Sequence, residues 1–237
     1  MSLEDLKARV LKANLDLVEL KLVTLTWGNV SGFDREEGLV VIKPSGIDYA
    51  ELKAKDMVTI TLEGTKVEGD LNPSSDTPTH LEIYKAYPEI RGIAHTHSEY
   101  AGIFAQAHKP IPCLGTTHAD HFNGEVPLTR MISENEVHED YEGNTGKVIV
   151  ECFAQIKPLE MPAVLVAGHG AFTWGRSPEE AVANSLALEK SAKMAWGAVL
   201  LNSEIPVFPE YLLQKHYSRK HGPQAYYGQK PREKKNE

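Results

Sequence analysis

Three of the ten histidines stand where their rings can converge on one point. His95-Thr96-His97 ends the apolar run Ile93-Ala94, and His169 sits in Gly168-His169-Gly170, just after Ala163-Val164-Leu165-Val166-Ala167. Residues i and i+2 of a strand project to the same face, so the His95 and His97 imidazoles share a side. A third imidazole at the mouth of another strand, with glycines on either side to let the backbone come close, completes a set of three. Three neutral imidazoles with a coordination position left open suit a catalytic divalent metal, zinc first, with manganese or cobalt also accepted. A carboxylate is the natural fourth ligand. Asp76 is placed for it at a predicted helix start, where the same side chain serves equally well as an N-cap. His118 and His121 are competing ligands, but no apolar strand feeds their segment. Asp120, between them, suits proton transfer beside a metal.

Three short stretches have the makings of an anion site. Trp27-Gly28-Asn29-Val30-Ser31 offers backbone amides and a side-chain amide after an apolar strand, and Lys43-Pro44-Ser45-Gly46 a cation, a hydroxyl and a glycine. Ser74-Ser75 precedes a helix whose first N–H groups are free to bind an anion. None matches the phosphate loop of nucleotide hydrolases, so ATP is not indicated.

These groups need a scaffold. Apolar residues Leu3, Leu6, Val10, Leu11, Leu15 and Val18 recur at helical spacing, predicting a helix over 2–22 capped by Ser2. Strands are predicted at 39–42, 57–62, around Val67, at 92–95, 148–150 and 163–167. Further helices are predicted from Ser74 to about Tyr87, over 98–108, from the capping box Ser177-Pro178-Glu179-Glu180 to about Leu201, and over 209–220. Glu136-Val137-His138-Glu139-Asp140 reads as a solvated charged face. The mixture predicts an α/β (α+β, three-layer) fold. One domain is expected over 1–229, followed by a charged, disordered tail over 230–237.

At 237 residues and 41% hydrophobic, the chain can bury a core of good size. Its net charge of -8 argues against a general nucleic-acid binder, since such proteins carry a basic face. Two cysteines, Cys113 and Cys152, make no disulfide framework, and neither a signal peptide nor a membrane span is visible. A cytoplasmic protein acting on a small molecule is expected, with no nucleic-acid or membrane partner.

The stretches above, with Thr116-Thr117-His118-Ala119-Asp120 and the terminal Ala225-Tyr226-Tyr227-Gly228-Gln229, resemble in order the class II sugar-phosphate aldolase/epimerase superfamily, and within it the L-ribulose-5-phosphate 4-epimerases. The resemblance spans about 3–229. It implies a central, mostly antiparallel sheet flanked by helices. It implies zinc held by His95, His97, His169 and Asp76. Gly28, Asn29, Ser45, Gly46, Ser74 and Ser75 would hold the substrate phosphate and neighbouring oxygens, with Lys43 close by. Asp120 and Tyr227 would be the acid/base pair, supported by Thr116, Glu142 and His216. The implied reaction is epimerisation of L-ribulose 5-phosphate at C4, by retro-aldol cleavage and re-formation of a C–C bond. Plain deprotonation cannot do this, because the C–H at that carbon is not acidic. The implied assembly is a homotetramer in which the tyrosine reaches a neighbouring subunit's site. The alternative within the superfamily is an aldolase cleaving fuculose or rhamnulose phosphate. Those enzymes carry glutamate at the position of Asp76 and lack the Thr-Thr-His-Ala-Asp segment. A scaffolding module on the same fold is a further alternative, but such modules lose the metal histidines.

Overall fold

The computed structural model describes residues 2–222 and 225–228. The expected tail over 230–237 lies outside the described residues. Seven strands form one sheet in the order β4-β3-β2-β1-β5-β7-β6, every neighbouring pair antiparallel. They are β1 (Asn29–Asp34), β2 (Leu39–Ile42), β3 (Val58–Thr61), β4 (Lys66–Glu68), β5 (Gly92–Thr96), β6 (Ala163–Leu165) and β7 (Ala171–Gly175). Among the described residues seven α-helices surround the sheet: α1 (Leu3–Glu19), α2 (Thr77–Ala86), α3 (Glu99–Gln106), α4 (Thr116–Ala119), α5 (Glu134–Cys152), α6 (Pro178–Leu201) and α7 (Glu210–Lys220). The expected mixed architecture with an antiparallel sheet is what forms.

Strand alternation sorts the two faces. Val30, Gly32 and Ala94 face α1 and α6. A Cβ at Gly32 would lie 2.8–2.9 Å from Leu6, Pro178 and Val10, so that helical layer sits directly on the strand. Asn29, Ser31, Ile93 and His95 face the other way, where the Ser31 hydroxyl bonds the His80 ring at 2.7 Å and Tyr84 at 2.8 Å, both on α2. β1 runs two residues, Asn29 and Val30, beyond β2, whose register begins at Ser31. Buried Asn14 of α1 takes the place of the missing strand: its amide accepts from Val30 N at 2.9 Å and donates to Val30 O at 3.1 Å.

Four local readings change. Residues 148–150 belong to α5 rather than to a strand. Their short apolar run is ambiguous by itself, but Thr145, Val148 and Ile149 are buried at helical spacing against α2. The segment before Asn29 is a loop, with Lys21, Leu25 and Gly28 at positive φ, and the strand predicted ahead of Trp27 begins only at Asn29. The strand at 163 stops at Leu165 and pairs with β7, which the sequence did not reveal. At the start of α6, Ser177 accepts from Glu180 N at 3.2 Å, but the Glu180 carboxylate takes Arg176 N instead of closing the box. Among the described residues no helix is long and apolar enough to cross a membrane.

Candidate active site

β5 brings His95 to the α2 face, His97 follows one residue past the strand, and His169 stands in the turn from β6 to β7. The three rings meet, with centroids 4.7–4.9 Å apart pairwise and one nitrogen from each within 4.8 Å of the others. Nε2 of His95 and Nε2 of His97 lie 3.0 Å apart. The His95 ring stacks on Phe172, its direct cross-strand partner, at 4.2 Å. Its Nδ1 donates to the Ala171 carbonyl at 3.0 Å, which leaves Nε2 as a lone pair facing the other two rings. Gly170 permits this approach: a Cβ there would lie 2.8 Å from the Thr96 carbonyl. Burial pushes the His95 pKa down to about 3 and lowers those of His97 and His169. Neutral imidazoles converging through lone pairs are the donor set a zinc-like ion takes, so the residues fit such an ion.

Asp76 stands at the N-cap position of α2, yet its carboxylate caps nothing. It accepts from the Asn29 amide at 2.7 Å, and the Ser74 hydroxyl lies 3.4 Å away. Burial disfavours the charged carboxylate, but His95, His80 and the Asn29 hydrogen bond hold its pKa below the ordinary value. It lies outside the three-histidine cluster but lines the same cavity. That cavity, of about 500 Å³, is walled by Gly28, Asn29, Lys43, Ser45, Gly46, Ser74, Ser75, Asp76, Glu142, His97 and His169. The expected phosphate-type loops and the histidines therefore share one space. Gly28 has φ +79°, and a Cβ would meet the His95 carbonyl at 2.7 Å. Lys43 is buried, with its ammonium donating to the Ile47 carbonyl at 3.1 Å and the Pro44 carbonyl at 3.3 Å and lying over the Tyr49 ring. It thereby braces its own loop.

Sequence reasoning missed Tyr141, which lines the cavity beside Glu142. Its ring centroid is 6.2 Å from that of His169. Burial, with the charges of Asp76 and Glu142, raises its phenol pKa, so it remains a proton-bearing donor. The signal was its neighbour Glu142, expected as a supporting site residue.

Asp120 and Tyr227 lie apart from this cavity. Asp120, at the end of α4, accepts from Arg219 Nε at 2.9 Å and from His216 Nδ1 at 3.1 Å, both on α7, with the Lys220 ammonium 3.5 Å away. Burial opposes ionisation, but Arg219, His216 and Lys220 hold the carboxyl below its ordinary pKa. The exposed Tyr227 ring packs on Arg219, whose guanidinium carbon is 5.1 Å from its centroid. Thr116 opens α4 and lines a separate cavity with Ser191 and Met194. His118 lies outside the three-histidine cluster, and its Nε2 donates to the Gly124 carbonyl at 2.7 Å. The site residues thus form two groups within the chain, one around the histidines and one around Arg219.

The family described as class II aldolase and adducin N-terminal domain matches residues 8–196. Among solved structures, an L-fuculose 1-phosphate aldolase is 30% identical with a TM-score of 0.79, covering 92% of this chain and 97% of that one. The L-fuculose-1-phosphate aldolase of Thermus thermophilus is 26% identical with a TM-score of 0.66, covering 84% and 97%. YgbL of Klebsiella pneumoniae, titled a putative aldolase/epimerase/decarboxylase, is 24% identical with a TM-score of 0.73, covering 91% and 99%.

Proposed function

Since the chain belongs to the class II aldolase and adducin N-terminal domain family, we propose that it cleaves and re-forms a C–C bond of a sugar phosphate, epimerising L-ribulose 5-phosphate to D-xylulose 5-phosphate at C4. The convergence of three neutral imidazoles on a cavity walled by glycine- and serine-rich loops carries the bond-cleaving part of this reading. His95, His97 and His169, with Asp76, would hold a divalent metal, zinc in the first instance. When bound, that ion supplies Lewis-acid stabilisation of negative charge on the substrate oxygens.

The remaining work falls to the protein. The amides and hydroxyls of Gly28, Asn29, Ser45, Gly46, Ser74 and Ser75 bind the phosphate. A base takes the proton from the C4 hydroxyl, the C3–C4 bond breaks, and its electron pair moves to C3 to give an enediolate with C2. The phosphate on C5 leaves with the aldehyde, as glycolaldehyde phosphate, rather than with the enediolate. The loops therefore anchor the aldehyde while its carbonyl turns, and attack on the opposite face inverts C4. The new C4 oxygen takes back a proton. One proton carrier on each face is needed, which Asp120 and Tyr227 supply, with Thr116, Glu142 and His216 in support. Both carriers pack against Arg219, away from the histidine cavity. This supports an oligomer, a homotetramer in this reading, in which one subunit presents them to its neighbour's cavity.

Asp120 within Thr-Thr-His-Ala-Asp, and aspartate rather than glutamate at position 76, favour epimerisation over simple cleavage. The 30% identity to an L-fuculose 1-phosphate aldolase favours the second reading, cleavage of a deoxyketohexose 1-phosphate. A coupled assay decides: L-ribulose 5-phosphate should give D-xylulose 5-phosphate, and a chelator should abolish it. Free dihydroxyacetone phosphate from fuculose 1-phosphate, with no pentulose turnover, would assign the chain to the aldolases. Full turnover after complete metal removal would refute both.

A further inference from the structure

Helix α5 is broken where it meets the cavity. Asp140 leaves the helical conformation at φ -166°, ψ 86°, and its carboxylate accepts from Gly143 N at 3.2 Å, starting a second helical segment. The break is built in. Asn144 bridges it by donating to the Glu136 carbonyl at 2.9 Å, and a Cβ at Gly143 would collide with the Asp140 carboxylate. Thr79 of α2 donates to the Glu142 carbonyl at 2.7 Å, and Gly146 packs so closely on Glu82 that a Cβ would lie 2.6 Å away. The new segment is thus fixed to the helix that starts beside Asp76. Its first residue, Tyr141, is aimed into the cavity. Among the described residues, the Tyr141 hydroxyl makes no hydrogen bond.

The backbone that carries Tyr141 is held firmly, and its part-exposed phenol, beside His169 with its hydroxyl unused, is a donor for a ligand oxygen. We propose that Tyr141 is a substrate-contacting residue that hydrogen-bonds the oxygen on the reacting carbon of a phosphate-anchored sugar, setting the site's demand for a hydroxyl there. This rests on the reading of the same cavity as a sugar-phosphate site. With the phosphate gripped by the serine- and glycine-rich loops, a second contact at the reacting end limits the ways the bound carbon chain can lie.

The test is a double-mutant cycle between the protein and a ligand hydroxyl, read by calorimetric or NMR titration on the zinc-loaded chain. The ligands are 2-hydroxyethyl phosphate and ethyl phosphate, which differ by one hydroxyl two carbons from the phosphate oxygen. The wild-type chain should prefer the hydroxylated ligand by about tenfold, the worth of one well-made hydrogen bond. Tyr141→Phe should lose most of that preference and bind ethyl phosphate as the wild type does, with unchanged zinc content and melting temperature. Tyr141→Leu should match Tyr141→Phe in lacking the preference. A preference that survives in Tyr141→Phe, or none in the wild type while both ligands bind, overturns the assignment and leaves the phosphate reading intact. Failure of the wild type to bind either ligand overturns both.

Discussion

Gly28→Ala tests how tightly the loop before β1 is fitted to the metal-type centre, and Gly38→Ala supplies its control. Gly28 has φ +79° and Gly38 φ +69°, so alanine meets a similar backbone penalty at both, about 1–2 kcal/mol. Around Gly38 nothing lies within 4 Å of the added Cβ. At Gly28 the Cβ would sit 2.7 Å from the His95 carbonyl and 2.8 Å from a Val23 methyl, well inside normal van der Waals contact. Relieving it means moving the His95 backbone by more than half an ångström or displacing the loop, at an overpacking cost of about 1–3 kcal/mol more. A ligand constellation tolerates only about 0.5 Å before binding suffers. Gly38→Ala should therefore lower the melting temperature by roughly 2–4 °C for each kcal/mol lost and leave zinc affinity unchanged. Gly28→Ala should melt lower still and lose at least about tenfold in zinc affinity, measured by chelator competition. Equal melting temperatures for the two variants, with wild-type zinc affinity in Gly28→Ala, would show that the contact with His95 does not constrain the site.

The other expectations concern the two groups of site residues and the core. His97→Asn should strip metal and activity together; a fully active, metal-free variant would remove His97 from the ligand set. Asp120→Asn and Tyr227→Phe should each slow epimerisation by about 100-fold or more while metal content stays intact, and wild-type turnover in both would exclude them from proton transfer. Burial pushes the pKa values of His80 and His118 down to about 4 from an ordinary 6.5. Between those values the unfolded chain binds protons that the folded one refuses, so stability should fall as pH drops below about 6.5 and continue falling toward 4. A urea midpoint that stays constant from pH 7 to 5 would contradict this. The buried Glu189 carboxylate accepts from Tyr100 N at 2.9 Å and Ala101 N at 3.0 Å, capping α3 where Ser98 does not. Glu189→Ala should cost about 2–4 kcal/mol in chemical denaturation by orphaning both amides, and a loss under about 0.5 kcal/mol would deny the cap its role.

Much of the site could be read from the chain because its signals are local. The same-face placement of His95 and His97 follows from the two-residue period of a strand. The glycines around His169, the loops at Trp27-Gly28-Asn29 and Lys43-Pro44-Ser45-Gly46, and the serine caps of α1 and α6 are set by neighbours a few residues apart. What the tertiary structure decided was long-range. The run 148–150 carries no intrinsic choice between strand and helix; packing of Val148 and Ile149 on α2 makes the choice. The strand Ala171–Gly175 exists because it fills the space between β5 and β6, stacking Phe172 on His95. Tyr141 enters the cavity only because α5 breaks at Asp140, and the break is held by contacts with α2 that no local pattern announces. Asp120 and Tyr227 collect around Arg219, away from the histidines, because the packing of α4 on α7 puts them there. Covalent geometry fixes which way nearby side chains point. Which distant segments come to face them depends on the burial energy of the whole chain, and no short stretch of sequence contains that sum.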